Sequence, residues 1–180
     1  MKVSLHGDRE LHNRLVGRSD AFDQTTANVR RLVAWKVPTS IQTTVVGAEP
    51  AEAVVDWIAA FCRATGVKRL NLIPFIPRGS GFERRAEYQL LPPQLRALRE
   101  LVRSARRRWQ GVVDVHLLDL STRPVPVIEA DGRIVIERAC EALDENLGFV
   151  PEPELVPVSR LELAGERQHR SKPGHAIIPD

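Results

Sequence analysis

Residues 40–75 read SIQTTVVGAEPAEAVVDWIAAFCRATGVKRLNLIPF, and this stretch decides the fold class. Its first part, Ser40–Val46, is dense in β-branched residues, which is typical of a strand. Gly47 ends that strand, and the apolar residues that follow recur on one helical face up to Gly66: Val54, Val55, Ile58, Phe61 and Cys62. Lys68–Phe75 (KRLNLIPF) then predicts a second strand. A strand, a helix and a strand joined by short connections predict a right-handed crossover between parallel strands.

The same unit recurs on both sides of this stretch. Upstream, Lys2–Leu5 predicts a strand, a polar loop follows it, and Ala21–Trp35 predicts a helix. Downstream, helical periodicity extends from the Pro-Pro pair at 92–93 to Trp109, and Val112–Leu118 predicts a fourth strand. We therefore expect an α/β domain built on a parallel sheet.

An antiparallel module follows from Pro124 onward. Val125–Glu129 and Arg133–Glu137 read as the two strands of a β-hairpin, because the Asp-Gly pair at 131–132 suits a type I′ turn. One further strand is predicted at Val156–Leu163, in a region rich in Pro, Glu and Arg.

Composition excludes several classes of protein. The 180 residues carry a net charge of +3, and the basic excess is concentrated in one run, Arg103, Arg106, Arg107 and Arg108. We expect a solvated helix face there and no nucleic-acid site, because no aromatic stacking platform accompanies the run. Two cysteines are too few for a disulfide framework or a thiolate metal site. No apolar run approaches the roughly 18 residues of a membrane span, so we expect a cytoplasmic protein.

Three stretches resemble the radical S-adenosylmethionine (SAM) superfamily. Residues 3–32 (VSLHGDRELHNRLVGRSDAFDQTTANVRRL) are similar to that family's strand ending in Ser-Leu-(Asp or His)-Gly, with a downstream His, a Gly, and a helix with an Asn-x-x-x-Leu core. Residues 37–67 resemble the next strand and helix, and residues 69–79 (RLNLIPFIPRG) resemble strand six with its Pro-x-Gly exit. The resemblance implies strands four to six of a partial (half) TIM-like (β/α) barrel, with helices on its outer face.

The resemblance also implies two cofactors, S-adenosyl-L-methionine and a [4Fe-4S] cluster, in an oxidoreductase that cleaves SAM to a 5′-deoxyadenosyl radical. The family's Cys-x3-Cys-x2-Cys loop and its Gly-rich stretch after strand two do not occur in this sequence. The sequence enters the family pattern at strand four, as a truncated, misread or split gene would. We expect the cluster ligands to lie outside this chain, on a polypeptide that supplies the N-terminal half barrel, and the chain alone to be inactive.

Residues 127–150 (VIEADGRIVIERACEALDENLGFV) are similar to the auxiliary-cluster extension of many of these enzymes. Only Cys140 matches its cysteines, so we expect no auxiliary cluster. A competing likeness, in strand six, is to the activating enzymes of glycyl-radical proteins. The expected domains are a partial barrel over 1–120, a hairpin extension over 121–165 and a disordered tail over 166–180.

The resemblance assigns five cofactor-binding positions: Ser4, Gln42, Thr44, Ile76 and Pro77. The Ser4 hydroxyl is expected to contact the SAM carboxylate or ribose. Gln42 and Thr44 are two residues apart on one strand, so both side chains point to the same face. Ile76 and Pro77 are expected to border the adenine, although a hydrophobic turn is the simpler interpretation.

Two further residues are expected to contact an unknown small-molecule or peptide substrate. His6 follows a strand end, at the rim where such barrels place their chemistry. Arg78 offers a guanidinium to a carboxylate or phosphate, with a solvated charge as the alternative. His6 and His12 lack a third ligand and make a poor zinc site. Cys62 lies on an apolar helix face and is expected to be a core residue.

Three functions remain open at this stage. The first is a fragment or subunit of a radical SAM enzyme, and the second is a non-catalytic binding or scaffold module derived from the same barrel. The third, an α/β nucleic-acid-binding domain, depends on the arginine run alone. If Lys2–Leu5 is strand four of a barrel, its outer edge is unpaired, and we expect the chain to self-associate or to bind the missing strands.

Overall fold

Two sheets organise the described part of the chain. The computed structural model describes residues 1–150, of which Met1–Gly148 form one compact unit and Phe149 begins a second. The first sheet contains four strands, β1 (Lys2–Ser4), β2 (Ser40–Val45), β3 (Arg69–Pro74) and β4 (Asp114–Leu117). They lie in the order β1-β2-β3-β4, and every neighbouring pair is parallel. The predicted parallel α/β arrangement is confirmed. Barrel closure stays a prediction, because β1 and β4 form two open edges of this sheet.

The helices follow the strands in the predicted alternation. They are α1 (Arg9–Val16), α2 (Ala21–Ala34), α3 (Ala51–Thr65), the short α4 (Arg85–Tyr88) and α5 (Pro92–Arg108). Helices α2, α3 and α5 connect consecutive strands of the first sheet and contact it. Gly66 ends α3 with φ of +83°, a left-handed conformation that glycine adopts without steric cost.

One face of the first sheet packs against these helices. Along β2 the burial alternates, so that Ile41, Thr43 and Val45 are buried. Ile41 and Val45 belong to a hydrophobic core formed with side chains of the neighbouring strands and of the three helices: Leu70, Leu72, Val115, Val29, Val55, Ile58, Leu98 and Val102. Burial of this shared core is the main stabilising contribution to the unit.

The opposite face, which we call the polar face, carries the intervening residues. Its central row joins the four strands in register: Ser4, Gln42, Asn71 and His116. A second row lies nearer the strand starts: Lys2, Ser40, Arg69 and Asp114. Parallel sheets are usually apolar on both faces because helices cover both. A polar row across all four strands is the composition expected of a face that lines a cavity.

Helix α1 lies where the sequence predicted a polar loop after the first strand. The Asp8 side chain caps its start by accepting a hydrogen bond from the Leu11 N–H (3.0 Å), and Gly17 ends it at φ of +76°. Leu11 and Leu15 then pack in a second hydrophobic cluster with Val46, Val54 and Tyr88. The two caps and the i, i+4 leucine pair were the sequence signals for this helix.

The antiparallel module contains three strands, β5 (Val125–Ile128), β6 (Arg133–Glu137) and β7 (Glu145–Phe149), in that order. The predicted hairpin of β5 and β6 is confirmed, and β7 is an addition to it. The predicted strand at Val156–Leu163 and the predicted tail at 166–180 lie outside the described residues. The domain boundary expected after residue 120 stays a prediction.

The turn between β5 and β6 is not the predicted type I′. That type needs positive φ at both central residues, but Asp131 is not in that region and only Gly132 is, with φ of +85°. The Gly132 N–H donates to the Glu129 carbonyl (2.9 Å), as in a type I turn followed by a left-handed glycine. Asp131 contributes by accepting from the Arg133 N–H (3.0 Å).

None of the helices within residues 1–150 is both long and apolar enough to cross a membrane.

Candidate functional site

The candidate site lies at the carboxyl ends of β1, β2 and β3. A cleft of about 450 Å³ opens there, and its lining includes His6, Thr44, Phe75, Arg84 and Tyr88. In open parallel α/β sheets, ligands bind in the crevice outside the carboxyl ends of the strands. The cleft and the polar face meet at Thr44, which belongs to both.

His6 is held by the backbone of the neighbouring strand. The Thr44 N–H donates to His6 Nδ1 (3.1 Å), in place of a ladder hydrogen bond beyond the end of β1. Burial, and then the neighbouring His12, lower the pKa of His6 to about 4. The imidazole is therefore neutral at pH 7, and its proton sits on Nε2, which makes that nitrogen a hydrogen-bond donor.

His12 contacts His6 through the His6 backbone. The His6 N–H donates to His12 Nδ1 (3.2 Å), and His12 Nε2 faces Thr25 Oγ1 at 3.3 Å. Burial lowers the pKa of His12, whose residue is only 2% exposed. Both nitrogens of this buried imidazole have partners, so His12 positions His6 and is not itself open to a ligand. Among the described residues, no group of three or more His, Cys, Asp or Glu side chains could hold a metal ion.

The structure brings three predicted cofactor-binding residues together. Ser4 and Gln42 are Cα partners in adjacent strands, and Thr44 follows two residues later on the same face. The row continues beyond them to Asn71 and His116, which sequence reasoning missed. The signal for Asn71 was an amide inside an otherwise apolar strand, but its place beside Gln42 depends on register.

Ile76 and Pro77 lie in the segment after β3 and are half-buried. Both therefore follow the strand whose carboxyl end borders the cleft, and contact with an adenine stays a prediction for them.

Arg78 makes a link within the protein. Its guanidinium donates two hydrogen bonds of 2.6 Å to the Asp144 carboxylate and one of 2.7 Å to the Arg138 carbonyl. Glu137 lies 3.4 Å away as a further acceptor. These contacts tie the segment after β3 to the antiparallel module, and substrate contact by Arg78 stays a prediction.

The arginine run is mostly paired. Arg103 bonds Glu100, Arg108 makes two 2.8 Å contacts with Asp56, and Arg106 Nε donates to the Val115 carbonyl at 2.7 Å. Three of the four arginines of the run therefore have partners within the protein. The expectation that this run does not bind nucleic acid stays a prediction.

The cysteines do not form a metal centre. Cys62 is fully buried in the core, where burial raises the pKa of its thiol to about 12. Cys140 is exposed and free in the antiparallel module. A [4Fe-4S] cluster needs several nearby thiolates, and these two residues do not fit one.

Comparison with solved structures finds proteins of similar fold. The chain is a mixed α/β protein whose parallel sheet presents a polar face and a cleft at its strand ends. SuiB from Streptococcus suis is similar in structure, with a TM-score of 0.50 and 16% identity over 65% of this chain. The structure of SuiB bound to S-adenosylmethionine gives the same values. The chain spans 26% of SuiB, and at this identity the likeness concerns the fold alone. No protein-family model and no curated protein matches the chain.

Proposed function

We propose that this chain forms the C-terminal half of a radical SAM barrel. We propose further that it binds S-adenosylmethionine where the polar face meets the cleft, around Thr44. The observation that carries the proposal is the polar row across a parallel sheet. A sheet face with hydroxyl, amide and imidazole groups suits a polar ligand and does not suit packing against a second layer of helices. The fold likeness to a protein bound to SAM supports the same assignment.

The residues present fit part of this ligand. Ser4 and Thr44 offer hydroxyls to a ribose or carboxylate, and Gln42 offers an amide. His6 Nε2–H is a neutral donor at the cleft. When bound beside a reducing cluster, SAM supplies the radical chemistry of the superfamily that the sequence resembles.

The cluster itself has no place in the described residues, since Cys62 is a core thiol and Cys140 stands alone. We therefore assign the cluster to a further stretch of polypeptide that also adds strands to the open edge of β1. A parallel strand there would continue the sheet and extend the polar face.

Titration of the ¹⁵N-labelled chain with SAM tests the proposal. Without the cluster only ribose and adenine contacts remain, so we expect weak, millimolar binding that perturbs the amide signals of Ser4, Gln42 and Thr44. The variant Gln42→Ala should bind SAM more weakly. Gln24→Ala, which changes an exposed amide on α2, is the matched control and should not. Perturbations confined to other parts of the chain, or none at saturating millimolar SAM, contradict the proposal.

The missing thiolates favour one second candidate, a non-catalytic binding module derived from this barrel. Co-expression with a polypeptide that carries a Cys-x3-Cys-x2-Cys loop and three parallel strands separates the two. A stable complex that cleaves SAM after anaerobic iron reconstitution supports the first. SAM binding by the chain with no such complex supports the second.

A further inference from the structure

The cleft at the strand ends is lined by hydrogen-bond donors that lack acceptors in residues 1–150. His6 Nε2 carries a proton, makes no hydrogen bond there and is not an enclosed atom, so it is open to a ligand. Tyr88 is only 8% exposed, and its hydroxyl oxygen accepts from Arg84 Nη1 at 3.4 Å, but no described group accepts the hydroxyl proton. Because a buried donor retains its desolvation cost until it is paired, the two protons indicate a ligand acceptor in the cleft.

Arg84 contributes the positive charge that the cleft can offer to a ligand. Its contact with the Glu87 carboxylate is 3.3 Å long, and both side chains are about half exposed or more, so the pair is weak. The other arginine of the lining, Arg14, is held by the Glu49 carboxylate. Glu83 also lines the cleft and is the charge that opposes an anion there. Arg84 and Glu83 should therefore affect the binding of an anion in opposite directions.

The remaining wall of the cleft is apolar. The rings of Phe75 and Tyr88 pack edge to face with their centroids 5.6 Å apart, and Leu15, Val16 and Val46 complete this wall. Ligand pockets commonly combine an apolar lining with a few polar groups that fix the orientation of the ligand. An inorganic anion would use the donors alone, whereas an organic acid with an apolar side group would use both parts of the lining.

We propose that the cleft binds the carboxylate of a substrate that is an organic acid with an aliphatic or aromatic side group. The donors are His6 Nε2–H, the Tyr88 hydroxyl and the Arg84 guanidinium. An ionised carboxylate only accepts hydrogen bonds, and its two oxygens together accept as many as four, which matches this set of donors. The inference rests on the proposed function, because it takes the cleft as the place of the substrate beside bound SAM. It adds Tyr88 and Arg84 as binding residues.

A pair of small probes tests the charge and the apolar group. 3-Phenylpropionate carries both, and 3-phenylpropanamide is its neutral counterpart. In the ¹⁵N-labelled chain, we expect the acid to shift the amide signals of His6, Arg84 and Tyr88 and to bind about tenfold more tightly than the amide, because charge-assisted hydrogen bonds are the stronger ones. Equal binding of the two, or no binding of the acid at saturating millimolar concentration, overturns the inference. Tighter binding of inorganic phosphate than of the acid would also overturn it.

Matched variants test the assigned residues. Arg84→Gln should weaken binding of the acid by about fivefold or more. Arg85→Gln removes the same charge from a side chain that stacks on Phe82 outside the cleft lining, and it should leave binding unchanged. Glu83→Gln should strengthen binding by about twofold to fivefold, because it removes a like charge. Tyr88→Phe keeps the buried ring and should weaken binding by about threefold to tenfold. Equal losses in the two arginine variants would show general charge attraction and overturn the inference.

Titration of SAM and the acid together separates this inference from the proposed function. If SAM perturbs Ser4, Gln42 and Thr44 while the acid shifts no signal of the cleft, the inference is wrong and the proposed function stands. If the acid binds while SAM perturbs nothing, the carboxylate site stands and the proposed function fails. Simultaneous binding of both supports the substrate assignment. Displacement of the acid by SAM would assign the carboxylate site to SAM itself and overturn that assignment.

Discussion

The two histidines near the cleft show how local partners determine the state of a side chain. His6 Nδ1 accepts a hydrogen bond from the backbone N–H of Thr44, and the backbone N–H of His6 donates to His12 Nδ1. Each imidazole therefore has one tautomer, in which Nε2 carries the proton. The pair is a neutral hydrogen-bonding unit, and it is neither a metal site nor a charged one.

This unit should make stability depend on pH. The pKa of His6 is lowered to about 4 in the folded chain, while the unfolded chain titrates near the ordinary value of 6.5. Between these values the unfolded state binds more protons, so the free energy of unfolding should fall as pH drops from 6.5 to 4, by roughly 1–3 kcal/mol. Urea denaturation at pH 7, 5.5 and 4.5 measures this fall in the free energy of unfolding.

His6→Asn is the control for this pH effect. The asparagine carbonyl can still accept from the Thr44 N–H but does not titrate, so the fall in stability should become smaller. An unchanged pH dependence in this variant would show that other groups cause the fall, and that the pKa of His6 is the same in the folded and unfolded chains.

At the scale of elements, short capped segments position the site. Helix α1 holds His12 beneath His6, and the segment after β3 is tied to the antiparallel module through Arg78. Neither connection is part of the parallel sheet. The site therefore depends on local caps and ion pairs as well as on the core.

The N-cap of α1 gives a direct test. Asp8→Ala removes the acceptor of the Leu11 N–H and should cost about 0.5–2 kcal/mol. Asp8→Asn keeps a capping oxygen and should remain within a few tenths of a kcal/mol of the natural chain. The free energy of unfolding in urea is the measurement, and equal losses in the two variants would mean that the charge, and not the cap, matters.

The link between Arg78 and Asp144 gives a second test. The hydrogen bonds from Arg78 lower the pKa of Asp144, which is the sign of a favourable pair in the folded chain. Asp144→Asn should cost about 1–3 kcal/mol and increase amide hydrogen exchange in β6, because the pair is largely buried. Asp56→Asn removes a more exposed arginine partner and should cost under about 1 kcal/mol. Similar small losses in both variants would show that the Arg78–Asp144 pair contributes no more to stability than an exposed ion pair.

At the scale of the whole molecule, the parallel sheet ends in two edge strands within the described residues, β1 and β4. Backbone groups of Met1 and Leu5 bond β2, so by alternation those of Lys2 and Ser4 point to the outer edge. An unpaired edge strand is a place where another strand can add.

We therefore expect the chain to self-associate in a concentration-dependent way. Sedimentation at tens of micromolar should show species larger than a monomer, and a polypeptide carrying the missing strands should suppress them in a stable complex. Lys2→Pro removes one outward N–H at the first strand position and should reduce association. A stable monomer that gains nothing from such a partner would contradict the half-barrel proposal.

The sequence by itself determined the order and direction of the strands in the first sheet and the helices between them. Residue type and period carry that information: β-branched runs predict strands, and apolar residues at helical spacing predict α2, α3 and α5. Helix α1 was missed because its signal is two caps and a leucine pair, which is weaker than a long apolar period. The turn type was wrong because Asp-Gly is compatible with more than one hairpin geometry.

The candidate site shows what only the tertiary structure decided. Ser4, Gln42 and Thr44 were predicted, and their shared face follows from the two-residue period of a strand. Asn71 and His116 joined them only through the register of β2 with β3 and of β3 with β4, which depends on how side chains from distant segments pack in one core. The backbone partner of His6 and the carboxylate partner of Arg78 are likewise contacts across long stretches of sequence. Such contacts are set by the packing of the folded chain, and no local pattern of residues encodes them.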